Sequence, residues 1–542
     1  MITSFELGNV RIFQGNGWHF DLPLLTVVCG TNSSGKSTLL KSLLLLRQSQ
    51  GLKGTQDGIH GRLRFSGSET DLGSFQSFVS QNDQSLDITL SLTIKEKTRK
   101  FLNASEKEPD VSKSKKSKAG SPNREQVDYQ LRATFIFGMR KQIGPLDAPT
   151  LEDPTYEEDN LLSRRPAHLK KAVFEFLDQN GSELCWHIES TWNQAVGEKN
   201  VERFELIIPR TFIQEWTKPY GISLGELGNS PDKDLARYET QLRGLLPTSM
   251  RVKMSSDKPR KGKEATSRLV DWPLPPPIER LLGDLRHSLS RIHYLGPLRT
   301  PAKRYYIAHL DASPSMDSQG EFLPYILREM GETSVLGVLR SSRPEGDKES
   351  LVRALNSWLY YFRCGNKTEH PDQIGEIRLE STKGVLLEVQ LQGQVGKKRH
   401  ALADSGFGYS QVLPILVRGL LAEPGDTLIV EQPELHLNPA LQVRLAEFFV
   451  EMIRLGKQLF LETHSEHLVN SFRVLAAEDL TGHISRNSNI TFVDLKDGVP
   501  HVQKLEVQPN GTIPEWPSSF FGDALELSSR LLKAQSKHKN LK

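Results

Sequence analysis

The feature that most constrains the fold of this chain is the stretch 24–47, LLTVVCGTNSSGKSTLLKSLLLLR, which joins an apolar run, a loop of small residues and a leucine-rich segment. The loop fits the pattern G-x-x-x-x-G-K-[ST] over residues 30–37. This pattern requires a strand before the loop and a helix after it, and the flanking residues favour both. The sequence therefore predicts a strand over 25–29 that leads through a phosphate-binding loop (P-loop) into a helix, within an α/β fold.

The residue types in the loop suit a nucleotide triphosphate. Gly30 and Gly35 let consecutive backbone N–H groups point inward, and the following helix N-terminus carries a partial positive charge. Lys36 would reach the β- and γ-phosphates, and Ser37 would ligate Mg²⁺. A Gly/Ser turn without a ligand is the alternative, but strand, loop, Lys-Ser pair and helix all agree with the P-loop. The predicted cofactors are ATP and Mg²⁺, and the predicted nucleotide-binding residues are Gly30, Asn32, Ser33, Ser34, Gly35, Lys36, Ser37 and Thr38.

Size and composition limit the class of protein. A chain of 542 residues predicts two or three domains, or one domain with large insertions. The net charge of +3 makes the protein nearly balanced, so any contact with nucleic acid must come from local patches. The chain has no apolar run of the roughly 18 residues that span a bilayer and no basic signal-peptide start. Its three distant cysteines fit neither a disulfide framework nor a zinc site, which favours the cytoplasm: Cys29, Cys185 and Cys364.

The middle of the chain differs from both ends. The stretch 103–126 is almost without apolar residues and reads as a flexible insertion, and strand-like stretches follow it. The prolines of PLPPP mark a boundary before IHYLG, which is apolar enough to rejoin the core sheet. We predict a core built from 1–100 and 291–542, split by an inserted lobe at 101–290. The basic runs 113–118 and 251–263 could grip a phosphate backbone or be solvated loops.

A second half of the site is predicted at 427–439, TLIVEQPELHLNP, which has the form of a Walker B strand. An apolar run precedes an acid at the strand end. Glu431 would lie beside the end of the P-loop strand and hold Mg²⁺ through water, so Ser37 and Glu431 form the predicted metal site. An ordinary strand that ends in a charged turn is the alternative.

Two further segments flank this strand. In LADSGFGYSQVLPIL, a Ser-Gly-x-Gly loop opens a helix and provides a second helix N-terminus that favours phosphate. In KQLFLETHSEHL, His464 directly follows an apolar strand. His464, His467 and His436 could alternatively ligate a metal, but no cysteine or clear carboxylate set accompanies them.

In this order, the P-loop, the Ser-Gly-x-Gly loop, the Walker B strand, HLNP and His464 resemble the ATP-binding-cassette (ABC) type AAA ATPases of the SMC, RecF and OLD group. More narrowly, the motifs TNSSGKSTLLKSLLLL, YLGPLR, GFGYSQVLPIL, VEQPELHLNP, ETHSEHL and GTIPEWPSSFF resemble the PtuA-type ATPases of Septu and retron-linked phage defence. The resemblance covers both ends of the chain well and the middle poorly. It implies a P-loop NTPase with an ABC-ATPase-like head and an inserted β/helical lobe.

The resemblance also implies partners. The signature loop of such heads contacts the γ-phosphate bound to the opposite subunit, which implies a homodimer or higher homo-oligomer and a switch role for His464. The antiviral relatives imply a separately encoded nuclease partner, for example of the HNH type, and contact with nucleic acid or a retron RNA-DNA. No Toprim-like acidic cluster or HNH spacing is visible in this chain. The predicted signature residues are Ser405, Gly406, Gly408 and Ser410.

One departure from ordinary ABC heads affects the mechanism. The residue after Glu431, where the catalytic base is expected, is Gln432, whose amide cannot accept a proton. Hydrolysis should be slow unless Glu434 substitutes, so the predicted catalytic residues are Glu431, Glu434 and His464. The signature loop does not contain the common LSGGQ sequence, which argues against a transporter. A DNA repair ATPase of the SMC or RecF kind and a scaffold that binds nucleotide without turnover are the rival functions.

Overall fold

The computed structural model describes residues 1–50, 60–67, 69–99, 126–139, 167–178, 183–193, 201–218, 232–255, 267–307, 318–321, 323–336, 339, 348–365, 377–383, 385–392, 399–405 and 407–517. The chain divides into two compact units that are each discontinuous in sequence. The first unit comprises Met1–Asp21 and Lys41–Arg291, and the second comprises Leu22–Leu40 and Ile292–Lys542.

The described strands and helices have the following bounds. In chain order the strands are β1 (Ile2–Gly8), β2 (Trp18–Asp21), β3 (Leu25–Gly30), β4 (Ile88–Arg99), β5 (Gln126–Gly138), β6 (His168–Asp178), β7 (Glu183–Asn193), β8 (Val201–Pro209), β9 (Leu235–Arg243), β10 (Leu246–Ser255), β11 (Ser267–Pro273), β12 (Ile292–Leu295), β13 (Tyr306–Ile307), β14 (Ser334–Leu336), β15 (Lys348–Ser350), β16 (Ile377–Thr382), β17 (Leu386–Gln392), β18 (Arg399–Ala401), β19 (Thr427–Glu431), β20 (Gln458–Glu462), β21 (Ser488–Lys496) and β22 (Val499–Leu505). The helices are α1 (Lys36–Gln48), α2 (Phe75–Phe78), α3 (Arg210–Thr217), α4 (Pro276–Ser290), α5 (Leu323–Met330), α6 (Leu351–Cys364), α7 (Phe407–Leu421), α8 (Pro439–Arg454), α9 (Glu466–Glu478) and α10 (His483–Arg486).

The first unit is built on a ten-stranded antiparallel sheet in the order β11-β10-β9-β8-β7-β6-β5-β4-β1-β2. Side chains alternate between the two faces of a strand, and β5 shows this clearly, since Leu131 and Ala133 are buried whereas Arg132 between them bonds to Glu6 at 2.5 Å. Helix α4 belongs to this unit, and the Tyr129 hydroxyl donates to its Asp284 at 2.5 Å.

This sheet divides the chain differently from the prediction. The predicted lobe 101–290 supplies β5–β11, but these strands continue the sheet of β4, β1 and β2, which the sequence interpretation had placed in the core. Of residues 1–100, only Leu22–Leu40 belongs to the second unit. The basic run 113–118 lies outside the described residues, and of 251–263 only 251–255 are described.

The second unit contains a six-stranded sheet in the order β12-β19-β20-β3-β21-β22, in which all pairs are parallel except β21 with β22. Strands β19 and β20 are buried along their whole length, as continuous apolar runs in parallel sheets usually are. In the register, Glu431 pairs with Glu462, and Glu462 pairs with Val28. The carboxyl ends of β19, β20 and β3 therefore meet at one edge, where ligands bind in open α/β sheets.

Helices cover this sheet, and a small antiparallel sheet of β13, β17, β16 and β18 belongs to the same unit. Trp358 of α6 packs edge-on against Phe448 of α8, with ring centroids 4.9 Å apart. The structure confirms the predicted α/β fold, in which the P-loop strand leads into a helix and IHYLG returns to the core sheet as β12. Among the described residues, no helix has the length and apolar character needed to cross a membrane.

Candidate nucleotide-binding site

The P-loop joins β3 to α1 and depends on glycine at its first position. Gly30 has a φ of 136°, and a Cβ atom there would lie 1.9 Å from the backbone oxygen of Val493 in β21. Gly35 has a φ of 92°, just before α1 begins at Lys36. The loop can therefore pass β21 only because residue 30 has no side chain.

Polar contacts close the loop on itself. The Lys36 ammonium donates to the backbone oxygens of Gly30 at 3.2 Å and Thr31 at 2.5 Å, and the Ser34 hydroxyl donates to the same Thr31 oxygen at 2.8 Å. The Thr31 hydroxyl donates to Asp494 Oδ1 at 2.9 Å, which ties the loop to β21. Lys36 and Ser34 are buried, as is Thr38, whereas Asn32 and Ser33 are exposed.

We expect the Gly30→Ala variant to lose ATP binding, because the new methyl group meets backbone rather than a flexible side chain. Backbone strain at a positive φ alone costs about 1–3 kcal/mol. Gly17→Ala is the matched control, since Gly17 has a φ of 95° but open space around its Cβ position. Titration of a fluorescent ATP analogue should show binding by the control only. Equal affinity in both variants would contradict the close approach of β21.

The acid next to the P-loop is Glu462, which the sequence interpretation missed. The Ser37 hydroxyl donates to Glu462 Oε1 at 3.0 Å. The prediction that Glu431 lies beside the end of the P-loop strand is wrong, because β20 lies between β19 and β3. The sequence did carry a signal, since β20, like the Walker B strand, is an apolar run that ends in glutamate.

Glu431 is buried one strand further along and is held at two atoms. Its Oε1 accepts a hydrogen bond from the Tyr294 hydroxyl at 2.9 Å, and its backbone oxygen accepts one from Arg299 Nη2 at 2.9 Å. The sequence interpretation placed IHYLG in the core sheet but did not connect Tyr294 or Arg299 with Glu431. Both contacts join residues that are more than 130 positions apart in the sequence, so no local sequence pattern predicts them.

The donors at this edge fit Mg²⁺. The Ser37 hydroxyl contacts Glu462, and Glu462 is in register with Glu431, so a hydroxyl and two carboxylates lie at the ends of adjacent elements. Mg²⁺ prefers oxygen ligands and commonly takes only one or two carboxylates, with waters and substrate phosphates completing its shell. The described residues contain no group of three or more His, Cys, Asp and Glu that could hold a metal by themselves. The three histidines of the alternative interpretation, all described, therefore do not form such a group.

Glu434 has the properties of a base. Its Oε1 accepts a hydrogen bond from the backbone N–H of His464 at 2.8 Å. Its Oε2 is buried and has no hydrogen-bond partner among the described residues. Burial raises the pKa of this carboxyl, and the His464 amide acts in the opposite direction. An ionised carboxylate whose pKa is raised can accept a proton from water.

The side chain of His464 is exposed near the P-loop. Burial of part of its ring lowers its pKa, and the positive charge of Lys36 lowers it further. The backbone N–H of the same residue bonds to Glu434, so the hydrogen bond joins the turn after β19 to the end of β20.

The signature loop leads into α7. The Ser405 hydroxyl donates to the backbone oxygen of Leu402 at 2.5 Å, and Ser410 is buried in the first turn of the helix. A Cβ at Gly408 would lie 3.1 Å from the backbone oxygen of His436, so the helix start packs against HLNP. Gly406 lies outside the described residues. The contact of this loop with a second subunit's ATP stays a prediction.

The second unit matches a known domain family over part of its length. A family model described as "AAA domain, putative AbiEii toxin, Type IV TA system" matches residues 386–470, which include the signature loop, the Walker B strand and His464. No curated protein matches the chain.

Three solved structures of SMC heads align with the chain at low TM-scores. The SMC head bound to the C-winged helix domain of ScpA is 12% identical, with a TM-score of 0.33, over 94% of this chain and 98% of that one. The SMC head domain from Thermotoga maritima is 9% identical, with a TM-score of 0.33, over 93% and 99%. The Smc head with an extended coiled coil bound to the C-terminal domain of ScpA, from Pyrococcus furiosus, is 11% identical, with a TM-score of 0.30, over 99% of both chains. The family model alone shows that the part of the chain with the acids and His464, at 386–470, is similar to an AAA domain.

Proposed function

We propose that this chain is an ATPase that binds Mg·ATP at the P-loop, dimerises around the nucleotide and hydrolyses it slowly. The observation that carries the proposal is the P-loop at the carboxyl edge of the sheet, with Ser37 bonded to Glu462 and Glu431 in register with that acid. Mg²⁺, when bound, neutralises the charge that develops on the phosphates. Ser37, Glu431 and Glu462 are the residues that would hold it.

Three other residues bind phosphate, accept the proton and sense the γ-phosphate in this proposal. Lys36 gives up its contacts with the loop oxygens of Gly30 and Thr31 and pairs with phosphate oxygens instead. Glu434 accepts a proton from the attacking water at its buried Oε2. His464, whose backbone holds Glu434, senses the γ-phosphate through its exposed ring.

Gln432 explains why turnover is expected to be slow. It directly follows the Walker B acid and has a φ of 45°, an uncommon backbone conformation for a residue other than glycine. Its N–H donates to the backbone oxygen of Glu462 at 2.7 Å, which fixes it between the two strand ends. Because its amide cannot take a proton, only Glu434 serves as base in this proposal.

Dimerisation tests the role assigned to the signature loop. In sedimentation velocity, ATP should convert the wild type from monomer to dimer. Ser405→Arg places a bulky cation in the half-buried signature loop. This variant should bind ATP and remain monomeric. Ser381→Arg, at an exposed position of β16, is the control and should dimerise like the wild type. ATP-dependent dimers of Ser405→Arg would contradict the proposed interface.

We further propose that the chain works in antiviral defence and controls a separately encoded nuclease. Its motifs resemble those of PtuA-type ATPases, and the matching family model is described as a putative toxin of a toxin–antitoxin system. Purification of the tagged chain from its native operon should recover a neighbouring gene product with nuclease activity. Nuclease activity in the purified chain alone would contradict this assignment.

A further inference from the structure

The segment IHYLGPLR, at 292–299, has no role in the function proposed above, yet two of its side chains reach the Walker B acid. Tyr294 lies in β12, and Arg299 follows five residues later. Tyr294 is 7% exposed and Arg299 is 3% exposed. Buried polar side chains usually have hydrogen-bond partners, and the Tyr294 hydroxyl and Arg299 Nη2 both donate to Glu431.

The sheet register explains how the tyrosine reaches the acid. Strand β12 pairs in parallel with β19, and Tyr294 lies opposite Ile429. Residues 429 and 431 point to the same face of β19, because side chains alternate along a strand. A long side chain from Tyr294 can therefore extend along that face, and its hydroxyl meets Glu431 Oε1 at 2.9 Å.

The two contacts fix different parts of Glu431. The tyrosine hydroxyl holds the carboxylate, whereas Arg299 Nη2 holds the backbone oxygen at the end of the strand. A phenolic hydroxyl with the ordinary pKa of about 10 keeps its proton near neutral pH, so Tyr294 is the donor to the carboxylate. Burial lowers the pKa of Arg299 to about 10, which leaves it charged, with Glu434, Tyr294 and Glu431 opposing the shift.

We propose that Tyr294 is a positioning residue for Mg²⁺, because its hydroxyl orients the Glu431 carboxylate toward the metal bound with ATP. This inference rests on the proposed function. A ligating carboxylate is commonly held by a second hydrogen-bonding group, and loss of such a group costs about 10- to 100-fold in metal affinity or activity. Without the hydroxyl, the carboxylate can rotate away from the P-loop edge.

The experiment compares Tyr294→Phe with the wild type by equilibrium binding. A fluorescent ATP analogue is titrated at a series of Mg²⁺ concentrations and again in excess EDTA. The half-saturating Mg²⁺ concentration should rise about tenfold in the variant, whereas the affinity without Mg²⁺ should not change. A shift below twofold would overturn the inference.

Tyr325→Phe is the matched control. Tyr325 is also 7% exposed, and its hydroxyl donates to the backbone oxygen of Ile307 at 2.6 Å. Each variant thus loses one hydroxyl and one hydrogen bond, and both should show a similar fall in melting temperature. Only Tyr294→Phe should change the Mg²⁺ dependence. Equal Mg²⁺ midpoints in the two variants would show that Tyr294 has only a structural role.

A double-variant comparison tests whether Tyr294 acts through Glu431. If Tyr294 acts through Glu431, its replacement should change the Mg²⁺ midpoint less than twofold in a Glu431→Gln background, since the carboxylate that it orients is gone. Independent, multiplicative effects of the two changes would contradict the inference. If the wild type binds no ATP, or if Lys36→Ala binds it equally well, then the proposed function itself fails, which is a distinct outcome.

Discussion

Lys36→Ala is expected to weaken ATP binding by about 10- to 100-fold, because each hydrogen bond to a charged group contributes about 1.5–3 kcal/mol. The Lys36 ammonium lies inside the loop, where it donates to the backbone oxygens of Gly30 and Thr31. Burial lowers its pKa, and the negative charge of Glu462 opposes that shift. A phosphate group entering the loop would replace weak carbonyl acceptors with charged ones.

Isothermal titration of ATP in the presence of Mg²⁺ measures this effect directly. Lys41→Ala is the control, since Lys41 lies on the same helix but further from the loop and should leave the affinity within twofold of the wild type. Lys36→Arg adds a stricter comparison, because its charge is retained but its planar group does not match the position of the ammonium. Wild-type affinity in Lys36→Ala would show that the loop is not the nucleotide site.

The sequence predicted those parts of the site that depend on local pattern. The glycines and lysine of the P-loop follow from spacing, and the structure adds why Gly30 is required, namely the Val493 backbone against it. Likewise, an apolar run that ends in an acid was sufficient to predict that Glu431 ends a strand. Local pattern did not reveal Glu462, although it occupies the same position in its own strand.

The difference between the two acids comes from strand order, which is a long-range property. The sequence does not show that β20 inserts between β19 and β3, so Glu431 was expected beside the end of the P-loop strand, where the structure has Glu462. The same cause explains why the ten-stranded sheet continues across the predicted boundary at residue 100. Apolar and polar residues alternate in β1 and β4 as in any surface strand. Only the pairing of these strands with each other and with β5 shows which sheet they join.

Glu434→Gln is expected to lower ATP turnover by about 10²- to 10⁴-fold while ATP binding stays within a few-fold of the wild type, because general base catalysis contributes that range. The amide can still accept the hydrogen bond from the His464 N–H, so the loop should keep its shape. Glu466→Gln is the control, since Glu466 is half-buried in the first turn of the neighbouring helix α9. Single-turnover hydrolysis separates the chemical step from product release.

The pH dependence of ATP turnover is an independent test of the role of Glu434. A base must be ionised to act, and burial raises the pKa of Glu434 above its ordinary value of 4.5. Turnover should therefore fall as the pH decreases through that raised pKa, and this acidic limb should be missing from any residual activity of Glu434→Gln. An unchanged limb in the variant would assign the titration to another group.

Gln432→Glu completes the comparison, because it restores a carboxylate at the position directly after the Walker B acid. Its backbone is already fixed by the N–H bond to Glu462, so a new carboxylate would be presented from a defined place. We expect turnover to rise in Gln432→Glu and to recover in part in the Gln432→Glu, Glu434→Gln double variant. If the wild type and every one of these variants bind ATP yet none hydrolyses it, the chain holds nucleotide as a switch, and Glu434 contributes to the shape of the site rather than to chemistry.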